Sequence, residues 1–280
     1  MVEREWHEVG ERVFRKRFDP CDVTVTAVIG GDGVAVVDTR CSVAEAREVA
    51  DEIRRFTSAP VRWVVNTHAH FDHAWGNAQF IAPRQDPPAL IWGHESLPAR
   101  LDRDNPLTAA LLEEMTAAGG DWAARAAELE LVPPTELVDE SAAIDLGGRL
   151  VELRHHGRGH TDGDLWIRIP DAGIVLAGDL VEESGPPAFG ADSFPLQWAA
   201  TLDRALDWMG SGAIVVPGHG EPVDRAFVAE QRVLIDAVAQ EIERLYRAGV
   251  ALNEAAQEGA WPLPVKELGD AITRGYAELG

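Results

Sequence analysis

Lysine is almost missing from this chain. Of 280 residues only Lys16 and Lys266 are lysine, one toward each end. A Schiff-base lysine or a phosphate-loop lysine in the body of the fold is thereby excluded. Cysteine is as scarce: Cys21 and Cys41 cannot staple a disulfide framework, and neither belongs to a Cys-x-x-Cys pair. They read as two small core residues. No apolar run approaches the ~18 residues of a membrane span. The stretch from Met1 to Trp6 lacks the basic-then-apolar pattern of a secretory leader. The expected setting is therefore the cytoplasm, with no membrane partner. Positive charge is short overall: 25 Lys and Arg face 47 Asp and Glu, a formal net charge of −22. Such a field repels phosphate backbones, so a nucleic-acid partner is not expected; the surface reads as solvated and acidic.

What is present fits a globular enzyme acting on a small molecule. The chain is 46% hydrophobic and 26% charged, which is enough apolar material for a sizeable core at this length. Val23 to Ile29 and Val34 to Val37 flank Gly30-Gly31-Asp32-Gly33, a β-hairpin pattern. Ser42-Val43-Ala44-Glu45 has capping-box spacing, and Val43, Ala46, Val49, Ala50 and Ile53 follow with helical period. Val61 to Val65 is the next strand. Helical patterns at Leu107 to Met115 and Trp122 to Leu131 form an insertion, with a short strand at Leu90 to Trp92. Strand patterns return at Leu150 to Leu153, Leu165 to Ile169, Ile174 to Leu176 and Ala213 to Val216. A helix carrying Leu196, Leu202 and Met209 precedes the last of these. The tail is helical from Phe227 to Leu245, and Gly249 is the expected stop. The pattern predicts a layered α/β domain with a helical insertion and a helical tail.

Four polar motifs each follow an apolar strand: Thr67-His68-Ala69-His70-Phe71-Asp72-His73, His155 to Thr161, Gly178-Asp179, and Pro217-Gly218-His219-Gly220. Donors at the ends of several strands converge on one rim of a sheet, where rigid backbone supports loops. Three imidazoles and a carboxylate within six residues are costly to crowd unless a cation binds them. Neutral imidazole and carboxylate are both good ligands for zinc and similar metals. Alternation points His68 and His70 one way, with Asp72 and His73 toward a neighbouring position, which suits two adjacent ions. Five of the chain's nine histidines, His68, His70, His73, His160 and His219, are candidate ligands within these motifs, so chance clustering is a poor explanation.

The set His68-Ala69-His70-Phe71-Asp72-His73, Gly159-His160-Thr161, Gly178-Asp179 and Gly218-His219-Gly220 resembles the metallo-β-lactamase superfamily, in the family's order, from about Val23 to Glu221. The resemblance implies a four-layer αββα sandwich in one domain, with a core at about 23–221 and a helical extension at 222–280. It implies that His68, His70 and His160 hold one divalent ion, that Asp72, His73 and His219 hold a second, and that Asp179 bridges them. The ions would be zinc, with iron or manganese as alternatives. They would ionise a bridging water, which Asp72 also orients, and polarise the scissile bond of an ester, lactone, thioester or amide.

The departures bear on substrate. In the best-known zinc β-lactamases a cysteine ligand precedes, by three residues, a lysine that grips the drug's carboxylate. Here those positions are Asp179 and Glu182. The aspartate resembles the glyoxalase II, lactonase and phosphodiesterase branches, and Glu182 would repel a carboxylate. Weak, promiscuous β-lactam turnover stays open. So do a mononuclear iron persulfide dioxygenase and a non-catalytic binding protein on the same fold. Among other residues, His94 reads as a cap, Trp75 as core or pocket lining, and Asp162 and Asp164 as loop-fixing groups. His156 is a candidate to orient a metal ligand, and Arg158 is a candidate substrate contact. The insertion and the tail are expected to shape the pocket without supplying metal ligands.

Overall fold

A computed structural model describes residues 5–280. The leader reading at Met1 to Trp6 thus falls partly on residues 1–4, outside the described residues. The chain divides into two compact units, one running to Arg154 with Ile169–Ala172 added, the other formed by His155–Arg168 and Gly173–Gly280.

The first unit contains β1 (His7–Gly10), β2 (Val13–Phe18), β3 (Val23–Ile29), β4 (Val34–Val37), α1 (Val43–Phe56) and β5 (Val61–Val65). After these come α2 (Phe71–Ala74), β6 (Leu90–His94), α3 (Leu97–Arg100), α4 (Pro106–Ala118), α5 (Gly120–Glu128), β7 (Glu136–Val138), β8 (Ser141–Asp145) and β9 (Leu150–Arg154). Strands β4, β5, β6 and β7 are parallel neighbours. β3 joins β4 antiparallel across the expected glycine turn, pairing Ile29 with Val34. β2 and β1 extend that edge antiparallel. These two strands escape the sequence pattern because Arg15 and Arg17, charged yet buried, interrupt the apolar alternation of β2.

A β-α-β crossover through α1 joins β4 to β5. Ser42 caps α1, its Oγ accepting from Glu45 N at 3.3 Å, and the Glu45 carboxylate reaches back to Cys41 N at 3.3 Å. Ala46, Val49, Ala50 and Ile53 then face the sheet, buried among the valines of β3 and β4. Parallel pairing has one consequence for chemistry. It sets the C-terminal ends of β4 and β5 side by side, as Asp38 N bonding Val65 O at 2.9 Å records.

The second unit contains β10 (Trp166–Ile169), β11 (Ile174–Glu182), α6 (Pro195–Trp208), β12 (Ile214–His219), β13 (Val223–Asp224), α7 (Arg225–Arg247), α8 (Leu252–Glu258) and α9 (Gly269–Leu279). β11 and β12 are parallel, and their register places Glu182 opposite His219. β11 is longer than its apolar run suggests: it continues past Leu176 through Asp179 to Glu182, buried along its whole length. Trp198, Leu202 and Leu206 of α6 pack with Ile235, Val238 and Ile242 of α7 and Ile272 of α9. Gly249 ends α7 with φ 77°, a conformation that only glycine adopts without strain. Among the described residues, no helix is long and apolar enough to cross a membrane.

The tail is fastened down. Arg274 Nε donates to Ser193 O at 3.0 Å, and the Glu278 carboxylate accepts from Leu196 N at 3.3 Å and Gln197 Nε2 at 2.9 Å. At Gly275 the helices approach so closely that an added Cβ would stand 2.7 Å from Ile242 Cγ2. Gly275→Val should therefore wedge α9 from α7 and cost about 1–3 kcal/mol, read as a lower urea midpoint; an unchanged midpoint would show that this contact does not fix the tail.

Candidate functional site

The first half of the site hangs from β4 and β5. Beyond β5 the chain runs through Asn66 and Thr67 into the histidine motif, whose last turn is α2. The imidazoles are packed: ring centroids of His68 and His70 lie 4.7 Å apart, and those of His68 and His73 lie 4.2 Å apart. Asp72 Oδ2 is 3.8 Å from His73 Nε2. His68, Asp72 and His73 are all buried.

The residue that organises them is Asp38, at the end of β4. Its carboxylate accepts from Thr67 N and Thr67 Oγ1, both at 2.8 Å, and from His73 Nδ1 at 2.8 Å. Because the Thr67 hydroxyl gives its proton to Asp38, the same oxygen accepts from His68 Nδ1, 3.0 Å away. One carboxylate thus sets two imidazoles in the tautomer that protonates Nδ1 and keeps the Nε2 lone pair for a ligand. That is the arrangement by which carboxylates orient metal-binding histidines. Burial pushes the Asp38 carboxyl up from its ordinary range, and the facing His73 draws it back. Thr39 N also holds His73 O at 2.7 Å, and Asn66 and Asn77 bond each other beneath the motif at 2.8 and 3.0 Å.

The second half lies at the ends of β11 and β12. Asp179 Oδ2 stands 3.5 Å from His160 Nε2 and 3.4 Å from His219 Nε2. His160 Nδ1 donates to Ala188 O at 2.9 Å, which again keeps Nε2 for a ligand. Asp179, Glu182 and His219 bring donor atoms within 4.8 Å of one another, a spacing that suits a cation. Glu182 is buried, and burial pushes its carboxyl up to about 7; a bond from Ser184 opposes this, while the charge of Asp179 adds to it. Gln231 Oε1 accepts from Glu182 N at 2.9 Å.

A cavity of about 750 Å³ opens in this unit. Asp179, Glu182 and His219 line it together with Pro186 and Phe189 and, from the tail, Lys266 and Thr273. The tail therefore does shape a pocket beside the candidate ligands. Lys266 is paired with its neighbour Glu267 at 3.0 Å. In the first unit the insertion lies against the histidine motif, with Phe71 5.9 Å from Trp122, centroid to centroid.

The seven residues singled out in the sequence thus form two sets: His68, His70, Asp72 and His73 in the first unit, and His160, Asp179 and His219 in the second. Asp38 went unseen because a single aspartate after a strand has the look of an ordinary turn residue. Glu182 was seen as a substrate-repelling group, and the structure also gives it a place among the donors. The supporting residues sort clearly. His94 Nδ1 lies 2.9 Å from Ser96 Oγ, and Trp75 is buried in a cluster with Leu97 and Leu101. Asp164 fixes its loop by accepting from Thr161 N at 2.8 Å. Arg158 stacks on Phe194 at 4.9 Å, and His156 packs on Trp208 at 5.3 Å.

The family model of the metallo-β-lactamase superfamily matches residues 18–219. The chain belongs to the metallo-β-lactamase superfamily. Members similar to it include a linear primary-alkylsulfatase of a Pseudomonas species, 24% identical over 74% of this chain and 44% of that protein. The acyl-coenzyme A thioesterase of Homo sapiens is 25% identical over 78% of this chain and 76% of its own length. A solved sec-alkylsulfatase of a Pseudomonas species superposes with a TM-score of 0.76 at 17% identity, over 98% of this chain and 50% of that one. The chain spans about half the length of the alkylsulfatases it matches. The chain has the α/β fold of the superfamily; six of the seven candidate ligands, His68 through Asp179, lie within the matched range, and His219 is the last residue of that range.

Two outcomes follow from this geometry. Asp38→Asn keeps the side chain's size but offers one acceptor oxygen in place of two, so it cannot take all three bonds from Thr67 N, Thr67 Oγ1 and His73 Nδ1. Zinc affinity, measured by competition with a chromophoric chelator, should fall about 10–100-fold; an unchanged affinity would remove Asp38 from the account. In chelator-stripped protein, Glu182 holds its proton in the native state up to pH about 7, whereas the unfolded chain releases it near 4.5. The native state binds the extra proton across that window, so stability falls as pH rises through it, by at most about 3 kcal/mol. Glu182→Gln should flatten that slope in urea titrations at pH 5 and 8; an unaltered slope would contradict the assignment.

Proposed function

We propose that this chain is a dinuclear metal-dependent hydrolase of small neutral acyl compounds: esters, lactones, thioesters or amides. In this reading His68, His70 and His160 hold one divalent ion, Asp72, His73 and His219 hold the other, and Asp179 serves both. The supporting observation is the Asp38–Thr67 relay, which presets His68 and His73 as Nε2 donors. Such presetting has little use in a plain structural core, where imidazoles need only be satisfied. The donor chemistry fits zinc, since neutral imidazoles and carboxylates dominate. When bound, the ions supply Lewis-acid polarisation of the scissile bond and an ionised water near neutral pH.

The chain's own side chains do the rest. Asp72 accepts a hydrogen bond from the attacking water and orients it. Asp179 balances the cationic charge. Pro186 and Phe189 offer apolar lining for the acyl part of a substrate, and Thr273 lines the same cavity with its hydroxyl donated to Gly269 O at 2.9 Å. Four carboxylates, Asp179, Glu182, Glu267 and Asp270, line the cavity against the ammonium of Lys266, which Glu267 already matches. A substrate carboxylate gains little there, so neutral substrates are favoured. The net charge of −22 opposes polyanions such as nucleic acid for the same reason.

The test joins metal analysis to a substrate panel on one sample. Two zinc ions per chain are expected, with activity lost on chelation and regained with zinc. Neutral lactones or esters should exceed penicillins at least about tenfold in kcat/KM, since ~1.4 kcal/mol of lost pairing is one power of ten. One ion at most, or β-lactams ranked highest, would overturn the reading.

A further inference from the structure

Cys21 and Cys41 lie twenty residues apart in sequence, yet their sulfurs stand 3.7 Å apart, both reduced. Sequence alone reads them as unrelated small core residues. Cys21 belongs to the turn between β2 and β3. Cys41 closes the short strap that follows β4, whose Asp38 and Thr39 hold His73. We propose that the two thiols form an oxidative modification site, and that their disulfide loosens the strap that orients His73.

The local frame favours the pairing. Arg40 ties strap to turn, its Nη2 donating to Asp19 O at 2.7 Å and its guanidinium lying 4.4 Å from the Phe18 ring centroid. Cys41 N is held by Glu45, whose other oxygen accepts from Arg125 at 2.7 Å. Both sulfurs are thus presented by braced backbone. A disulfide requires the sulfurs to close to about 2.05 Å, a shift of under about 2 Å.

The strap has little slack to absorb that shift. Asp38 and Arg40 are non-glycine residues at φ 65° and 68°, a strained region that persists only when neighbours over-determine it. The bonds that do so are the ones that grip the histidine motif: Thr39 N to His73 O at 2.7 Å and Gly76 N to Arg40 O at 3.0 Å. There is no spare room beyond them, because a Cβ at Gly76 would meet Thr39 O at 2.0 Å. Drawing Cys41 toward Cys21 therefore stretches the contacts that fix the His73 ring.

The chemistry balances with a hydroperoxide as oxidant. The Cys41 thiol is pushed up by its bond to Cys21 and by burial, so it keeps its proton, and the half-buried Cys21 sulfur meets the peroxide. Cys21 attacks one peroxide oxygen, becoming a sulfenic acid as the O–O bond breaks and the other oxygen leaves as hydroxide, which takes up the thiol proton as water. The Cys41 sulfur then attacks the Cys21 sulfur, the S–O bond breaks, and its proton leaves with the oxygen as a second water. Two thiols are oxidised and one peroxide is reduced.

The test uses the zinc-loaded protein and stoichiometric hydrogen peroxide. Thiol titration should fall from two per chain to none, with peptide mapping finding a Cys21–Cys41 link within one chain. Zinc affinity should drop about tenfold or more and return with dithiothreitol, and Cys21→Ser should start with ordinary affinity and ignore peroxide. These readouts do not depend on catalysis. The consequence for zinc rests on the proposed metal role of His73, whereas the crosslink itself does not, so the two readings fail separately. Two titratable thiols after oxidation, a link between chains, or a formed disulfide with unchanged zinc affinity would each overturn the proposal.

Discussion

The structure of the first half-site depends on one buried carboxylate. Asp38 stands at the end of β4, and parallel pairing with β5 delivers Thr67 and His73 to it. A carboxylate taken out of water is costly unless several donors meet it, and here three bonds do so. Two imidazoles gain a fixed tautomer and orientation in return. Replacing water by preset donors removes much of the reorganisation that a ligand site would otherwise require on binding.

Charge explains why such a site is built from a strained strap and buried strands. Asp179 and Glu182 lie in β11 among apolar neighbours, where carboxylates are rarely placed without compensation. His160 and His219 flank Asp179 within 3.5 Å, and burial holds the Glu182 carboxyl above its ordinary range against the bond from Ser184. A divalent ion is the natural compensation for this accumulation, and the strap's two positive-φ residues are the backbone cost of carrying Asp38 to its partners.

Much of this was legible in the chain because the motifs are dense and each follows a recognisable strand. The alternation of His68 and His70 and the glycines beside His160, Asp179 and His219 carry the resemblance to the superfamily, and α1, α6 and α7 follow apolar periods. What was not legible depends on distant partners. β2 hides behind buried arginines, and β11 runs on through two carboxylates that would end an ordinary strand. Asp38 acquires its role only when β4 is set beside β5. The approach of Lys266 and Thr273 to the cavity depends on Gly275 letting α9 settle against α7, and the meeting of Cys21 with Cys41 depends on a turn and a strap converging; neither leaves a local signal.

The central claim is that two donor sets serve one pair of ions, and anomalous diffraction at the zinc edge from zinc-loaded crystals addresses it most directly. The account predicts two anomalous peaks about 3.5–4 Å apart, one on His68, His70 and His160, the other on Asp72, His73 and His219, with Asp179 between them. A single peak, or two peaks that leave either set without an ion, would contradict it.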